Sequence, residues 1–276
     1  MLTELNMLRI TKISEAERAS PTVKTFTFQD KLCSEATPGQ FAMVWIPGVD
    51  EVPMSLSTIG PGGRASITVA DVGEATHTLH QKRAGEILGI RGPYGNGFTP
   101  ANGNALIVGG GTGLVPLAPL SEELPTLHGG LTFVAGAKTQ RELLFLDRIM
   151  TSLSRSNGKV FATTEDGSYG IKGLATEVAE QLLEKERFDM IYTCGPEEMM
   201  YKVFVLAEKH KTPIQASLER LMRCAIGICG SCVIGGFRVC KDGPVFSGTH
   251  LRAVQEEFGR FMRTRAGKEG PIHDSR

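Results

Sequence analysis

Cys224, Cys229, Cys232 and Cys240 form the densest group of reactive side chains in this chain, spaced C-x4-C-x2-C-x7-C. Four thiolates suit either an iron–sulfur cluster or a tetrahedral zinc ion. The C-x4-C-x2-C spacing of the first three matches one pattern of 2Fe–2S ligation. A structural zinc site more often uses two C-x2-C pairs, and only Cys229 and Cys232 have that spacing. A 2Fe–2S cluster is therefore the expected occupant, with zinc, and then disulfides or free thiols, as the alternatives. The small residues Ala225, Gly227, Gly230 and Ser231 let the backbone wrap closely and aim N–H groups at the sulfurs. The remaining cysteines, Cys33 and Cys194, stand apart from the cluster and from each other. That usage fits a reducing cytoplasm better than a disulfide scaffold.

A second signature is a glycine loop between a strand and a helix. Residues 105–108 form a continuous apolar run that opens onto Gly109, Gly110, Gly111, Thr112 and Gly113, after which residues 117–124 read as helical. Strand, glycine loop and helix in that order place phosphates at a helix N-terminus. Pro116 replaces the third glycine of the dinucleotide fingerprint and suits a first helical turn. Strands expected at 131–135, 159–163 and 190–193 alternate with helices at 141–153, 173–184 and 197–209. That alternation implies a mainly parallel sheet covered on both faces, with nucleotide at the strands' C-terminal ends.

Residues 1–100 read instead as short strands. Period-two or apolar runs at 22–28, 41–46, 53–57, 65–69 and 85–95 predict a small antiparallel barrel, with a helix at 77–81 capped by Thr76 or Glu74. The expected organisation is a β-barrel over 1–100, a parallel α/β nucleotide-binding domain over 101–215 and a small cysteine-rich module with tail over 216–276. The tail from Arg252 carries Arg260, Arg263, Arg265 and Lys268 and is expected as a solvated helix, with a contact to a partner as the alternative.

With 276 residues, 41% hydrophobic, 22% charged and a net charge of zero, nothing argues for nucleic acid or a charged membrane surface. No long apolar run or leader is visible, so neither a membrane span nor secretion is expected, and the location expected is the cytoplasm. His77, His80, His128, His210, His250 and His273 show no metal or triad spacing and read as structural or surface residues.

The order of barrel, glycine-loop domain and cysteine cluster resembles the ferredoxin–NADP reductase superfamily, and within it the electron-transfer subunits of type 1B dihydroorotate dehydrogenases. The carriers are Pro53-Met54-Ser55, Gly73-Glu74-Ala75-Thr76, Gly109 to Pro116, Thr164-Glu165-Asp166-Gly167-Ser168-Tyr169-Gly170, Cys194-Gly195-Pro196-Glu197, and the cluster segment from Glu219 to Phe246. The resemblance implies FAD in the barrel, NAD(H) over the α/β domain and a 2Fe–2S cluster. It also implies an FMN-containing catalytic subunit as partner, in a heterotetramer of two of each, serving pyrimidine biosynthesis.

Carried over by position, Val52, Pro53, Met54 and Ser55 match a flavin-binding strand, and Val69, Ala70 and Asp71 a second one. Ala75 and Thr76 match the helix start that meets the flavin pyrophosphate. Gly111, Thr112 and Gly113 match the dinucleotide-pyrophosphate loop, and Cys194, Gly195 and Pro196 the segment flanking the nicotinamide. Related reductases carry arginine where this chain has Val52, so Lys82, Arg83 or Arg91 is the expected substitute, with FMN the alternative to FAD. Lys138 and Arg141 stand where a 2′-phosphate would be met, and Glu165 and Asp166 read as loop or ribose contacts. No acid–base pair is required, because hydride transfer and single-electron steps belong to the cofactors. The rivals are the small subunit of a ferredoxin–NADP oxidoreductase or hydrogenase diaphorase and, in another class, a zinc-stapled nucleotide-binding regulator.

Overall fold

A computed structural model describes residues 2–124, 129–154, 156, 158–263 and 268–272; His128, Arg265 and His273 lie outside them. Six antiparallel strands, β1 (Arg9–Ser20), β2 (Val23–Gln29), β3 (Phe41–Ile46), β4 (Asp50–Ile59), β5 (Arg64–Ala70) and β6 (Ile87–Tyr94), close a barrel in the order β1-β2-β5-β4-β3-β6. Alternate residues point inward: Phe26 and Phe28, then Ala42, Val44 and Ile46, then Leu88 and Ile90 are fully buried. In β2 this burial matches the period-two signal of its sequence, and in β3 it matches a continuous apolar run, since Phe41 and Met43 are buried too. β1 carried no such signal, because Ile13 is its one buried apolar residue, yet it pairs with both β2 and β6. Closure of the barrel, not hydrophobic alternation, makes it a strand.

Three helices decorate the barrel: α1 (Leu2–Asn6), α2 (Lys31–Ser34) and α3 (Glu74–Gln81). The expected helix at 77–81 begins earlier, at Glu74, with Gly73 as N-cap. Thr76 caps from inside the first turn: its hydroxyl lies 2.9 Å from both the Val72 and Gly73 N–H groups and accepts from them.

In the nucleotide-binding unit, parallel strands β7 (Ala105–Gly110), β8 (Leu131–Ala137), β9 (Lys159–Thr164), β10 (Ile171–Lys172), β11 (Met190–Cys194) and β12 (Ile214–Ser217) stand in the order β10-β9-β8-β7-β11-β12. Helices α4 (Leu114–Glu123), α5 (Leu146–Ser154), α6 (Ala175–Lys185) and α7 (Glu197–His210) follow β7, β8, β10 and β11. The helix expected from 141 starts only at Leu146: Gln140–Glu142 is a single 3-10 turn, and Phe145 takes a positive φ of 58° that no α-helix accommodates.

Beyond β12 come the hairpin β13 (Val233–Ile234) and β14 (Phe237–Arg238), the turn α8 (Val239–Asp242), β15 (Val245–Ser247) and α9 (Gly248–Ala253). Finally β16 (Phe261–Arg263) pairs with β17 (Glu269–Pro271). β15 adds a seventh, antiparallel strand beside β12, with Ala216 opposite Phe246.

The chain therefore groups into two compact units rather than three consecutive ones. One joins Met1–Gly97 with Glu219–Pro244 and Met262–Arg276; the other joins Phe98–Leu218 with Val245–Phe261. The module expected over 216–276 is divided between them, because its strand β15 completes the nucleotide-binding sheet while its cysteine segment packs with the barrel. The expected solvated tail is also corrected: Val254 and Phe258 are buried, with the Phe258 ring 5.8 Å from Tyr201 and 6.2 Å from Phe204. Among the described residues no helix is long and apolar enough to cross a membrane.

Candidate functional site

The cysteine segment is a tight loop closed by the β13–β14 hairpin. Gly227 holds a φ of +77°, which a residue with a Cβ adopts only under strain, and a Cβ there would also press on the Lys241 side chain. The sulfurs fall into two pairs. Cys224 Sγ accepts N–H groups from Ile228 at 3.4 Å and Cys229 at 3.5 Å, and is hydrogen-bonded to the Cys229 side chain. Cys232 Sγ accepts the Cys240 N–H at 3.4 Å, and those two thiols are likewise hydrogen-bonded to each other. Among the described residues no group of three or more His, Cys, Asp or Glu side chains is placed to hold one metal ion. A tetrahedral zinc needs all four sulfurs about 2.3 Å from one point, whereas two irons need two thiolates each. Two pairs of thiolates is the arrangement that the two irons of a 2Fe–2S cluster require.

Burial would raise the Cys224 thiol, but N–H donors from Cys229, Ile226 and Ile228 outweigh it and pull it down to about 6. Burial, reinforced by the neighbouring Cys232 thiol, pushes Cys240 up to about 12. In metal-free protein at pH 7, Cys224 is thus a thiolate and Cys240 a thiol. Peptide mapping after brief iodoacetamide treatment should find Cys224 modified well before Cys240, since the thiolate is the nucleophile. The reverse order would contradict this electrostatic picture.

Two residues that sequence reasoning passed over hold the loop. The Arg238 guanidinium donates to the Gly227 carbonyl at 3.2 Å and to the Asp242 carboxylate at 3.2 and 3.3 Å. The Asp242 carbonyl accepts from the Asn96 side chain at 3.1 Å, and the Asn96 N–H donates to the Gly243 carbonyl at 2.6 Å. The cluster loop is thereby tied to the segment just past β6. Arg238 and Asp242 stand at i,i+4 around Cys240, but that spacing does not point to Gly227 or Asn96 as their partners.

The barrel is closed but not evenly paired. β4 and β5 are matched at Leu56–Ile67, Thr58–Ser66 and Ile59–Ala65, whereas residues 50–55 of β4 pair only with β3, and residues 68–70 of β5 only with β2. The ladder between the two strands stops at Leu56–Ile67, so residues 52–55 and 69–71 lie beyond its last pair, at a gap in the pairing. Val52 and Met54 pack against the barrel core while staying partly open, and Asp71 is exposed. α3 rises directly from this gap, fixed by His80 Nε2 on the Val69 carbonyl at 2.7 Å. At its other end Lys24 donates to the carbonyls of His80 and Lys82 at 3.0 and 2.6 Å, satisfying C-terminal acceptors of the helix. The N–H groups of its first turn are left at the gap, where an anion is favoured.

The basic residues nominated to replace arginine at position 52 are largely engaged. Arg91 forks onto the Glu51 carboxylate at 2.7 and 2.5 Å, and that hydrogen bonding holds its pKa up despite burial. Lys82 reaches Glu86 at 3.5 Å. His77 meets Asp71 at 3.1 Å.

In the other unit, β7 and β11 are parallel neighbours with Gly109 opposite Cys194. Gly111 has a φ of +54°, and Gly113 caps α4 with its N–H groups unserved by any side-chain cap. A Cβ on Gly113 would overlap the Cys194 carbonyl. The glycine loop and residues 194–196 are thus brought edge to edge at the carboxyl end of the sheet. Nearby, the Asp166 carboxylate accepts the Ser168 N–H at 2.9 Å and hydroxyl at 2.7 Å, which lowers its pKa and makes it a turn-forming residue. The Gln140 N–H donates to the same hydroxyl at 2.8 Å, tying the loop after β8 to that after β9.

Two family models match: the iron–sulfur cluster binding domain of dihydroorotate dehydrogenase B over residues 219–252, and the oxidoreductase NAD-binding domain over residues 107–204. A probable dihydroorotate dehydrogenase B (NAD(+)) electron transfer subunit of Methanocaldococcus jannaschii is 44% identical over 94% of this chain and 97% of its own length. A protein of the same description from Methanothermobacter thermautotrophicus is 42% identical over 98% and 100%. Among solved structures, a chain of the NADH-dependent reduced ferredoxin–NADP oxidoreductase superposes with a TM-score of 0.79 at 28% identity, covering 91% of this chain and 95% of that one. The fold is shared with that oxidoreductase, but the sequence stands nearer the first two proteins along almost its whole length. The chain belongs to the family of dihydroorotate dehydrogenase B electron transfer subunits.

Proposed function

We propose that this chain passes electrons from an FMN-containing dihydroorotate dehydrogenase catalytic subunit, through a 2Fe–2S cluster and FAD, to NAD+ in pyrimidine biosynthesis. The observation that carries the reading is the sorting of four cysteines into two thiol pairs within the same compact unit as the split barrel edge. The bound groups supply the redox chemistry, converting a two-electron hydride exchange into single-electron steps; the chain binds, orients and shields.

In this reading Cys224, Cys229, Cys232 and Cys240 would hold the cluster, their sulfurs already sorted into the pairs Cys224–Cys229 and Cys232–Cys240. Backbone groups of Val52, Pro53, Met54 and Ser55 face the isoalloxazine with the Ser55 hydroxyl, opposite Val69, Ala70 and Asp71. The Ala75 and Thr76 N–H groups receive the flavin pyrophosphate. The Thr76 hydroxyl is already committed to Val72 and Gly73, so its contribution is through the backbone. Gly111, Thr112 and Gly113 receive the pyrophosphate of NAD(H), and Cys194, Gly195 and Pro196 flank its nicotinamide. With Val52 in place of arginine and Arg91 neutralised by Glu51, the helix start of α3 carries most of the phosphate binding. The partner is the catalytic subunit, in a heterotetramer of two of each, in the cytoplasm.

The test is an anaerobic visible spectrum of the purified chain, with iron, sulfide and zinc analysis and identification of co-purifying subunits. Flavin bands and iron–sulfur absorbance that bleach with NADH, and a catalytic subunit active on dihydroorotate, are expected. A colourless protein with one zinc per chain would sink the reading. A partner of ferredoxin–NADP oxidoreductase type would transfer it to the second enzyme, whose structure the chain shares.

A further inference from the structure

The four cysteines do not have equivalent surroundings. Cys232 and Cys240 are 2% and 1% exposed, whereas Cys224 is half-buried and Cys229 lies at the surface. Backbone N–H groups serve Cys224 and Cys232, but the Cys229 sulfur has a side-chain neighbour instead: Ser231 Oγ at 3.4 Å. In the free thiol form the sulfur is the donor of that bond. Once a metal deprotonates it, the sulfur can only accept, and the hydroxyl must turn to donate.

Building on the cluster reading above, we propose that Ser231 is a positioning residue that raises the reduction potential of the cluster by donating its hydroxyl to the Cys229 thiolate. Uptake of one electron, supplied in the proposed activity by reduced flavin, adds one negative charge and neither forms nor breaks a bond. Donors aimed at the ligating sulfurs stabilise the more negative, reduced state over the oxidised one, and such donors are a principal lever on these potentials. Ser231 Oγ accepts from the Cys229 thiol as the structure stands, and a substitution can delete this hydroxyl without altering the backbone. Its neighbour Gly230, at a φ of +73°, sets the turn that brings the hydroxyl back to Cys229.

The test is an EPR-monitored redox titration of the full-length, cluster-loaded chain. Ser231→Ala should move the midpoint to more negative potential and lower reduction by a fixed-potential couple about tenfold, the usual scale for a hydrogen bond to a charged group. Ser231→Thr, which keeps the hydroxyl, should stay near the wild-type midpoint. If Ser231 serves only as a small residue in a tight loop, Ala leaves the midpoint unmoved and the proposal is overturned. It is equally overturned if Thr falls as far as Ala. A wild-type chain without iron and sulfide after anaerobic reconstitution would instead overturn the cluster reading on which the proposal rests.

Discussion

Cys232→Ala is expected to abolish the cluster and with it electron flow between dihydroorotate and NAD+, while leaving the flavin-bearing barrel intact. Cys232 is buried, and its sulfur both pairs with Cys240 and accepts the Cys240 N–H. Removing it would take one ligand from the proposed set and leave the Cys240 N–H without its sulfur acceptor. Iron and sulfide content should fall close to zero, and dihydroorotate-dependent NADH formation by the assembled enzyme should fall on the order of 100-fold or more. NADH-driven reduction of an artificial dye needs only the flavin and nucleotide sites and should persist. The barrel survives because its core is built from residues between Ile13 and Ile90, with nothing from the cysteine segment. Cys194→Ala is the control: although buried, Cys194 lies in the other unit and should leave iron content unchanged. A Cys232→Ala enzyme that retained iron and full activity would remove the cluster ligand set proposed here.

The second large effect is at Gly113. A Cβ there overlaps the carbonyl of Cys194 and the N–H of Gly195, all backbone that cannot swing aside as a side chain would. Gly113→Ala must push the glycine loop away from residues 194–196, and overpacking of this kind costs about 1–3 kcal/mol. The KM for NADH should rise by about 10- to 100-fold, as a pyrophosphate-binding loop displaced from its helix N-terminus loses directed N–H donors. Flavin and cluster absorbance, which belong to the other unit, should not change. Gly111→Ala provides the comparison. Its Cβ would meet open space and costs only the strain of a positive φ, about 1–2 kcal/mol, without displacing the neighbouring strand end. Equal effects at the two positions would mean that the close approach to Cys194 does not matter for nucleotide binding.

What could be read without coordinates follows from where local chemistry is dense. Among the barrel strands, the one holding Phe26 and Phe28 declared itself by period two, and the one holding Val44 and Ile46 by a continuous apolar run. The parallel sheet showed as apolar runs separated by helices. β1 did not show, because one buried isoleucine gives no period, and neither did the start of α5, where Phe145 departs from helical φ. The four cysteines proposed as ligands were singled out by their spacing, but the partners of Arg238, Asp242 and Asn96, which secure the loop, were not. Charged and amide side chains on a surface segment have too many potential partners for spacing to select one.

The amino-acid sequence by itself therefore determined the fold class, the glycine loop that opens α4 and the candidate set of four cysteines. Each rests on residues close along the chain, where spacing and side-chain type translate directly into geometry. Only the tertiary structure decided how the sulfurs pair, that the cysteine segment joins the barrel while Val245–Ser247 completes the nucleotide-binding sheet, and that β4 parts from β5 at residues 50–55. These depend on contacts between residues tens to hundreds of positions apart. Their registers are selected by closing a barrel and completing a sheet, and no local period records that choice.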